Sequence, residues 1–192
     1  MRKQFILSWF QFQQRARLVS FGFFVLFLLS ACAAGAGRQA PLDSLPSVTV
    51  FESPQKELNL LDLKGQPLLI HFWATWCVPC ITELPRLNTF AAQMRGSIRV
   101  LAIAVGDSWD EIRTTAPSRL QYLHILADPD SETLAAFGLQ HVPYTLFINE
   151  QGHRAAFPDP ATGALTKELT GARNWDGPLV SEYFRQALKT RH

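Results

Sequence analysis

An apolar run followed at once by two closely spaced cysteines decides the fold: Leu68-Leu69-Ile70-His71-Phe72-Trp73-Ala74-Thr75-Trp76-Cys77-Val78-Pro79-Cys80. A short apolar run with aromatic and β-branched members predicts a buried strand over residues 68–73. The stretch from Cys77 to Met94 is typical of a helix, so the first cysteine should lie at a strand-to-helix turn. The positive end of a helix dipole favours a thiolate, which is the nucleophilic form of cysteine. The pattern therefore indicates thiol chemistry at Cys77.

Further along the chain, predicted strands alternate with predicted helices. Strands are expected at 48–51, 58–60, 98–105, 124–126 and 144–149, with 153–157 as an antiparallel hairpin partner of the last. Helices are expected at 109–120, 131–137 and 177–189, with a polar loop at 158–167. This alternation predicts an α/β fold, a mixed sheet flanked by helices on both faces. A Cys-x-x-Cys motif between a strand and a helix makes that fold thioredoxin-like.

The third cysteine, Cys32, follows a segment with the pattern of a signal peptide. Residues 1–31 contain basic but no acidic side chains, and 18–29 is mostly apolar but too short to span a bilayer comfortably. The junction Leu29-Ser30-Ala31-Cys32 resembles the bacterial lipobox, in which cleavage falls just before a cysteine that carries lipid.

We therefore expect a lipoprotein signal peptide at 1–31, lipid attachment at Cys32, a tether at 32–47 and one thioredoxin-like domain at 48–192. An ordinary signal peptide or a short uncleaved anchor, with an incidental Cys32, is the alternative. Four of the 18 basic side chains lie in the predicted signal peptide, which leaves 14 against 16 acidic ones. A net charge of about −2 implies no nucleic-acid partner.

Residues 68–87 resemble the TlpA-like branch of the thioredoxin superfamily, which comprises membrane-tethered thiol–disulfide oxidoreductases that face the cell envelope. The resemblance continues through 137–152 and takes in Gly171 and Trp175, so it covers nearly the whole predicted mature chain. It implies the fold, the redox activity and the absence of a bound cofactor. It also implies that Cys77 is the nucleophile and Cys80 the resolving thiol, and that the two form a disulfide that exchanges through mixed disulfides.

The resemblance implies roles for three further residues. Glu83 lies one helical turn after Cys80, where the family carries a glutamate that assists proton transfer at the cysteines. Pro143 corresponds to the proline that follows a cis peptide bond and opposes the cysteine pair. The backbone of Val142 would then bind an extended peptide in the manner of strand addition. A solvated helix glutamate and an ordinary proline before a strand are the alternatives.

His71 departs from the pattern of many thioredoxins, which carry a buried, proton-accepting aspartate at this position. A neutral imidazole could accept a proton, and a charged one would lower the pKa of Cys80. A histidine in a strand is more often a core residue, so the proton route stays open.

Aromatic residues near the cysteines are interpreted as surface-shaping or packing groups. Trp76 precedes the predicted nucleophile and is expected to bind substrate on the docking face, whereas Trp73 is expected in the core. Trp109 and Trp175 are interpreted as packing residues, and His141 as a solvated loop residue.

These observations predict a lipid-anchored thiol–disulfide oxidoreductase in the bacterial cell envelope, with reduction favoured over oxidation. Expected partners are exported proteins that bear thiols or disulfides, apocytochrome c among them, a membrane thiol reductase as electron donor, and the membrane itself. No metal site is expected, because zinc needs further ligands and the histidines are scattered. Two alternatives are a peroxide-reducing peroxiredoxin relative and a binding lipoprotein with an inert disulfide or metallochaperone-like role.

Overall fold

The computed structural model describes residues 43–117 and 119–190. Its strands are β1 (Thr49–Ser53), β2 (Lys56–Asn59), β3 (Leu68–Trp73), β4 (Arg99–Val105), β5 (His124–Asp128), β6 (Tyr144–Ile148), β7 (Phe157–Pro158), β8 (Leu165–Thr166) and β9 (Glu168–Thr170). Its α-helices are α1 (Val78–Gln93), α2 (Trp109–Thr115), α3 (Glu132–Phe137) and α4 (Val180–Lys189), and a 3-10 helix spans Leu60–Leu63.

Seven strands form one mixed sheet in the order β2-β1-β5-β4-β3-β6-β9. The three strands β3, β4 and β5 run parallel, and β6 pairs antiparallel with β3. All six residues of β3 are buried, since strands flank it on both sides and helices cover both faces of the sheet. The predicted mixed α/β sheet is therefore confirmed, and β3 spans the residues that the apolar run predicts.

Aromatic contacts show which helices cover the two faces. Phe72 on β3 lies edge-on to Phe137 of α3, with the ring centroids 5.5 Å apart. Phe147 pairs with Leu69, three residues from Phe72, and so lies on the opposite face. Its ring contacts an aromatic side chain of β7, which in turn contacts Phe184 of α4. The cysteine-bearing helix α1 packs against α4.

Several predicted boundaries differ from the observed ones for local reasons. The helix predicted at 109–120 ends at Thr115, because Ala116 precedes Pro117 and adopts an extended conformation. The strand predicted at 58–60 ends at Asn59, whose side chain accepts a hydrogen bond from the backbone of Leu61 and begins the 3-10 helix. The strand predicted at 124–126 continues to Asp128.

The predicted partner of β6 is right only at the end of the strand. Residues 153–155 pair with it there, through an antiparallel bridge between Ile148 and Arg154 and a hydrogen bond from the N–H of Ala155 to the carbonyl of Phe147 at 2.9 Å. On the side away from β3, the strand that pairs with the rest of β6 is β9. Pro158 has no N–H to donate, so the chain does not continue beside β6 at this point. It forms the β7–β8 hairpin instead, largely within the segment predicted as a loop. The closing helix begins at Val180, three residues later than predicted.

The predicted signal peptide and Cys32 lie outside the described residues, as does the tether up to residue 42. Among the described residues, no helix is both long and apolar enough to cross a membrane. Within the same ranges, no group of three or more His, Cys, Asp or Glu side chains is placed to hold a metal ion.

Candidate active site

Cys77 and Cys80 are joined by a disulfide at the start of α1, with their Cα atoms 5.3 Å apart. Cys77 is extended and caps the helix, because its sulfur accepts a hydrogen bond from the backbone N–H of Cys80 at 3.3 Å. The side chain of Cys77 is 6% exposed and that of Cys80 is fully buried. Cys77 is therefore the more accessible of the two cysteines.

A buried carboxylate anchors the turn that leads to Cys77. Asp107 accepts hydrogen bonds from the backbone N–H of Thr75 at 2.7 Å and from its hydroxyl at 2.6 Å. Asp107 follows Gly106 at the carboxyl end of β4, beside the end of β3. Asp107 is not among the site residues predicted from the sequence, although a polar side chain at the carboxyl end of a parallel strand is a known signal for a site.

Two large apolar side chains stand exposed on either side of Cys77. Trp76 and Val78 are each 71% exposed, whereas Trp73 is fully buried, as expected for a core residue. Exposed apolar groups beside a reachable sulfur suit contact with another protein. The docking role of Trp76 stays a prediction.

The Val142–Pro143 peptide bond is cis, as the resemblance implies. Because Tyr144 pairs with Phe72, Pro143 lies beside the end of β3 that leads to the cysteines. Within the described part of the chain, the backbone N–H and C=O of Val142 make no hydrogen bond to protein. Val142 is thus free to bind the backbone of an extended peptide.

Glu83 is buried on α1, 3% exposed, and is not the solvated residue of the alternative interpretation. Its Oε1 accepts a hydrogen bond from the indole N–H of Trp175, and its Oε2 has no partner among the described residues. Burial raises the pKa of the Glu83 carboxyl to about 7, against the opposing effects of the Trp175 N–H and of the backbone and charge of Arg173. A carboxyl of this kind exchanges its proton near neutral pH.

Comparison with known proteins points to the same kind of thiol chemistry as the geometry of the site. Residues 36–154, more than half of the chain, match the model of the AhpC/TSA family. The chain belongs to the AhpC/TSA family. It is 34% identical over 121 residues to thiol:disulfide interchange protein DsbE of Xylella fastidiosa, a match that covers 60% of this chain and 57% of that relative. It is 26% identical over 155 residues to thiol-disulfide oxidoreductase ResA of Bacillus subtilis, covering 75% of this chain and 85% of that protein.

A solved structure shares the fold of this AhpC/TSA family member. The exposed lipoprotein thioredoxin Etrx1 of Streptococcus pneumoniae superimposes with a TM-score of 0.54 at 21% identity, covering 76% of this chain and 99% of that one. The predicted thioredoxin-like fold is therefore confirmed. The predicted kinship with thiol–disulfide oxidoreductases is confirmed by the names of the two sequence relatives.

In this AhpC/TSA family member, His71 is a neutral core histidine. Its Nδ1 lies 3.0 Å from the hydroxyl of Thr145, the residue opposite on β6, and its Nε2 has no partner among the described residues. Burial lowers the pKa of His71 to about 3, so the ring is uncharged at neutral pH. The low pKa favours the neutral imidazole over the charged one that would lower the pKa of Cys80, and proton acceptance by His71 stays a prediction.

Stability should fall in acid because His71 is held neutral. Its pKa in the folded state, about 3, lies below its ordinary value of 6.5, so the stabilisation is present above pH 6.5 and is lost as the pH falls towards 3. The contribution amounts to about 1.4 kcal/mol for each pH unit in that window. In urea titrations of the oxidised protein, His71→Asn should flatten the acid limb and exposed His153→Asn should not. Equal slopes in His71→Asn and the unaltered protein would contradict this expectation.

Proposed function

We propose that this protein is a thiol–disulfide oxidoreductase that acts on cysteine-containing proteins through Cys77 and Cys80. The observation that carries the proposal is a disulfide at a helix start, whose first cysteine is slightly exposed and whose second is fully buried. The names of the DsbE and ResA relatives support the same reaction.

The exchange proceeds in two balanced steps. The Cys77 thiolate attacks a substrate disulfide, forms a mixed disulfide and releases one substrate thiolate. The Cys80 thiolate then attacks the Cys77 sulfur, which restores the Cys77–Cys80 disulfide and releases the second substrate thiol. Two electrons pass from the protein to the substrate, and the reverse sequence oxidises a substrate dithiol.

The second step needs a proton acceptor, because burial disfavours the thiolate of Cys80. We assign this role to Glu83, whose carboxyl changes protonation state near neutral pH. The Val142 backbone beside Pro143 would hold the peptide on either side of the substrate cysteine, and Trp76 would form part of the docking face. These roles are supported by spacing and register: Glu83 follows Cys80 by three residues on α1, Trp76 precedes Cys77, and Pro143 lies beside the end of β3 that leads to the cysteines.

Insulin reduction tests the activity directly. The pre-reduced protein should cleave the insulin disulfides at a rate that grows with its concentration, and the same protein alkylated at its cysteines should not. A protein that neither reduces insulin nor oxidises a dithiol peptide would overturn the proposal.

The direction of electron flow is proposed to be reductive. A membrane thiol reductase would supply the electrons, and exported proteins such as apocytochrome c would receive them. Equilibration with glutathione buffers gives the reduction potential of the Cys77–Cys80 pair. A value near the roughly −270 mV of thioredoxin supports a reductase, whereas one near the roughly −120 mV of DsbA indicates an oxidase.

A lipid anchor at Cys32 is proposed from the lipobox-like junction, and with it a position on a bacterial membrane outside the cytoplasm. An anchor of more than one acyl chain binds membranes stably. In bacteria fed labelled palmitate, Cys32→Ala should abolish labelling and move the protein from the membrane to the soluble fraction. Cys80→Ala should keep the label. Equal labelling of the unaltered protein and Cys32→Ala would contradict the anchor.

Peroxide reduction is not supported at Cys77. The peroxiredoxin pattern Pro-x-x-x-Thr-x-x-Cys would require proline at position 70 and threonine at position 74. The chain has Ile70 and Ala74 there, both buried.

A further inference from the structure

One short segment between β9 and α4 contacts two separate parts of the candidate site. We call residues 171–175 the 171–175 loop. At its start, the backbone N–H of Gly171 donates a hydrogen bond to the carbonyl of Pro143 at 2.9 Å. At its end, the indole N–H of Trp175 donates to Oε1 of Glu83. The loop therefore connects the cis-proline turn to the buried carboxyl.

Aromatic packing fixes the direction of the indole N–H. Trp175 is fully buried, and its ring centroid lies 5.4 Å from that of Phe90 on α1 and 6.4 Å from that of Phe184 on α4. The two phenylalanine rings also contact each other, at 4.8 Å. A buried indole N–H needs an acceptor, and here that acceptor is Glu83.

The hydrogen bond distinguishes the two oxygens of Glu83. Oε1 is held by Trp175, whereas Oε2 is buried and has no partner among the described residues. A donor that is held in place favours the charged form of a carboxyl, and burial favours the neutral form. The pH at which the proton leaves is decided by burial on one side and, on the other, by the Trp175 N–H together with the backbone and charge of Arg173.

We propose that Trp175 is a positioning residue for Glu83: its indole N–H holds Oε1, leaves Oε2 as the oxygen that exchanges the proton, and sets the pH at which it does so. The catalytic consequence rests on the proposed role of Glu83 as proton acceptor. From the sequence, Trp175 is predicted only as a packing residue.

Of the groups that act on Glu83, Trp175 is the one whose hydrogen bond can be removed without also removing a charge. Arg173, from the same loop, acts on Glu83 through its backbone and its charge and also forms an ion pair with Asp159 at 3.6 Å. Arg86 on α1 faces Asp176 at 3.9 Å, and both side chains are exposed.

The test is Trp175→Phe, which keeps an aromatic ring and removes the N–H. The matched control is Trp109→Phe, because the Trp109 N–H also donates a hydrogen bond, to the carbonyl of Phe51 at 3.2 Å on β1. Carbon-13 NMR of the oxidised protein follows the Glu83 carboxyl, which is assigned by its absence in Glu83→Gln. The titration midpoint should rise by about one pH unit in Trp175→Phe, the size expected for a lost hydrogen bond to a charged group, and stay unchanged in the control.

A second measurement does not depend on the folding of Trp175→Phe. In the unaltered protein, the NMR signal of the Trp175 indole proton should shift with pH at the same midpoint as the Glu83 carboxyl. That shift should vanish in Glu83→Gln.

Two outcomes separate this inference from the proposed function. The inference would be overturned, whatever the rates of disulfide exchange, by either of two results. One is an unchanged Glu83 titration midpoint in folded Trp175→Phe, and the other is an indole proton signal that does not shift at that midpoint. A raised midpoint with an unchanged pH profile of disulfide exchange would support the positioning role of Trp175 and refute the proton-transfer role of Glu83.

Discussion

Cys80→Ser is expected to turn the protein into a covalent trap for its substrates, and Cys77→Ser is expected to abolish exchange altogether. Cys77 is the more exposed cysteine and is proposed to make the first bond to the substrate, and the fully buried Cys80 is the group proposed to break it. Without Cys80, the mixed disulfide has no intramolecular thiol to resolve it and should persist. Without Cys77, the remaining thiol is buried and no mixed disulfide should form.

Non-reducing gels of cells that express each variant measure this effect. Cys80→Ser should give high-mass adducts that disappear with reductant, and Cys77→Ser should give none. Cys32→Ser is the control for the third cysteine and should keep the exchange activity of the purified protein. Adducts of equal amount in Cys77→Ser and Cys80→Ser would show that the order of attack is wrong.

The elements closest to the cysteines could be predicted because their signals are local. All six residues of β3, five of them apolar, are buried, and a short apolar run of this kind is typical of a central strand with both faces covered. Helix α3 ends as predicted because Gly138 adopts the left-handed conformation that terminates helices. The three-residue strand β9 could not be predicted, since its alternation of exposed and buried residues is too short to recognise.

For the candidate site too, some features could be predicted from the sequence and others could not. The cysteines, Glu83 and Pro143 lie in segments that resemble a known family, so their positions follow from the sequence. The contact of Thr75 with Asp107 joins residues 32 positions apart, and that of Glu83 with Trp175 joins residues 92 apart. No pattern along one sequence predicts which carboxylate a distant donor will meet, because the sheet order decides it.

Glu83→Gln should change how the free energy of unfolding depends on pH. The size of the change should be close to the free energy lost when a core side chain is truncated. The pKa of Glu83 in the folded protein, about 7, lies above its ordinary value of 4.5. Its contribution to stability is therefore fully present below pH 4.5 and is lost as the pH rises through 7. A difference of this size corresponds to about 3 kcal/mol, which the buried charge costs the folded state above neutral pH.

The glutamine variant isolates this cost from the opposite effect of His71, which destabilises the protein as the pH falls. Glutamine keeps an oxygen for the Trp175 N–H but cannot ionise, so Glu83→Gln should be more stable than the unaltered protein above pH 7. That advantage should shrink towards pH 4.5 in urea titrations. Exposed Glu57→Gln is the control and should run parallel to the unaltered protein at every pH.

The same substitution should slow disulfide exchange by roughly a hundredfold or more near pH 7, because it removes the proposed proton acceptor for Cys80. A variant that gains stability while losing activity indicates that the buried carboxyl is kept for its chemistry, since the fold would be more stable without it. If Glu83→Gln gains stability above pH 7 and exchanges disulfides at the normal rate across pH 5 to 9, Glu83 carries no proton for the cysteines and another group must do so.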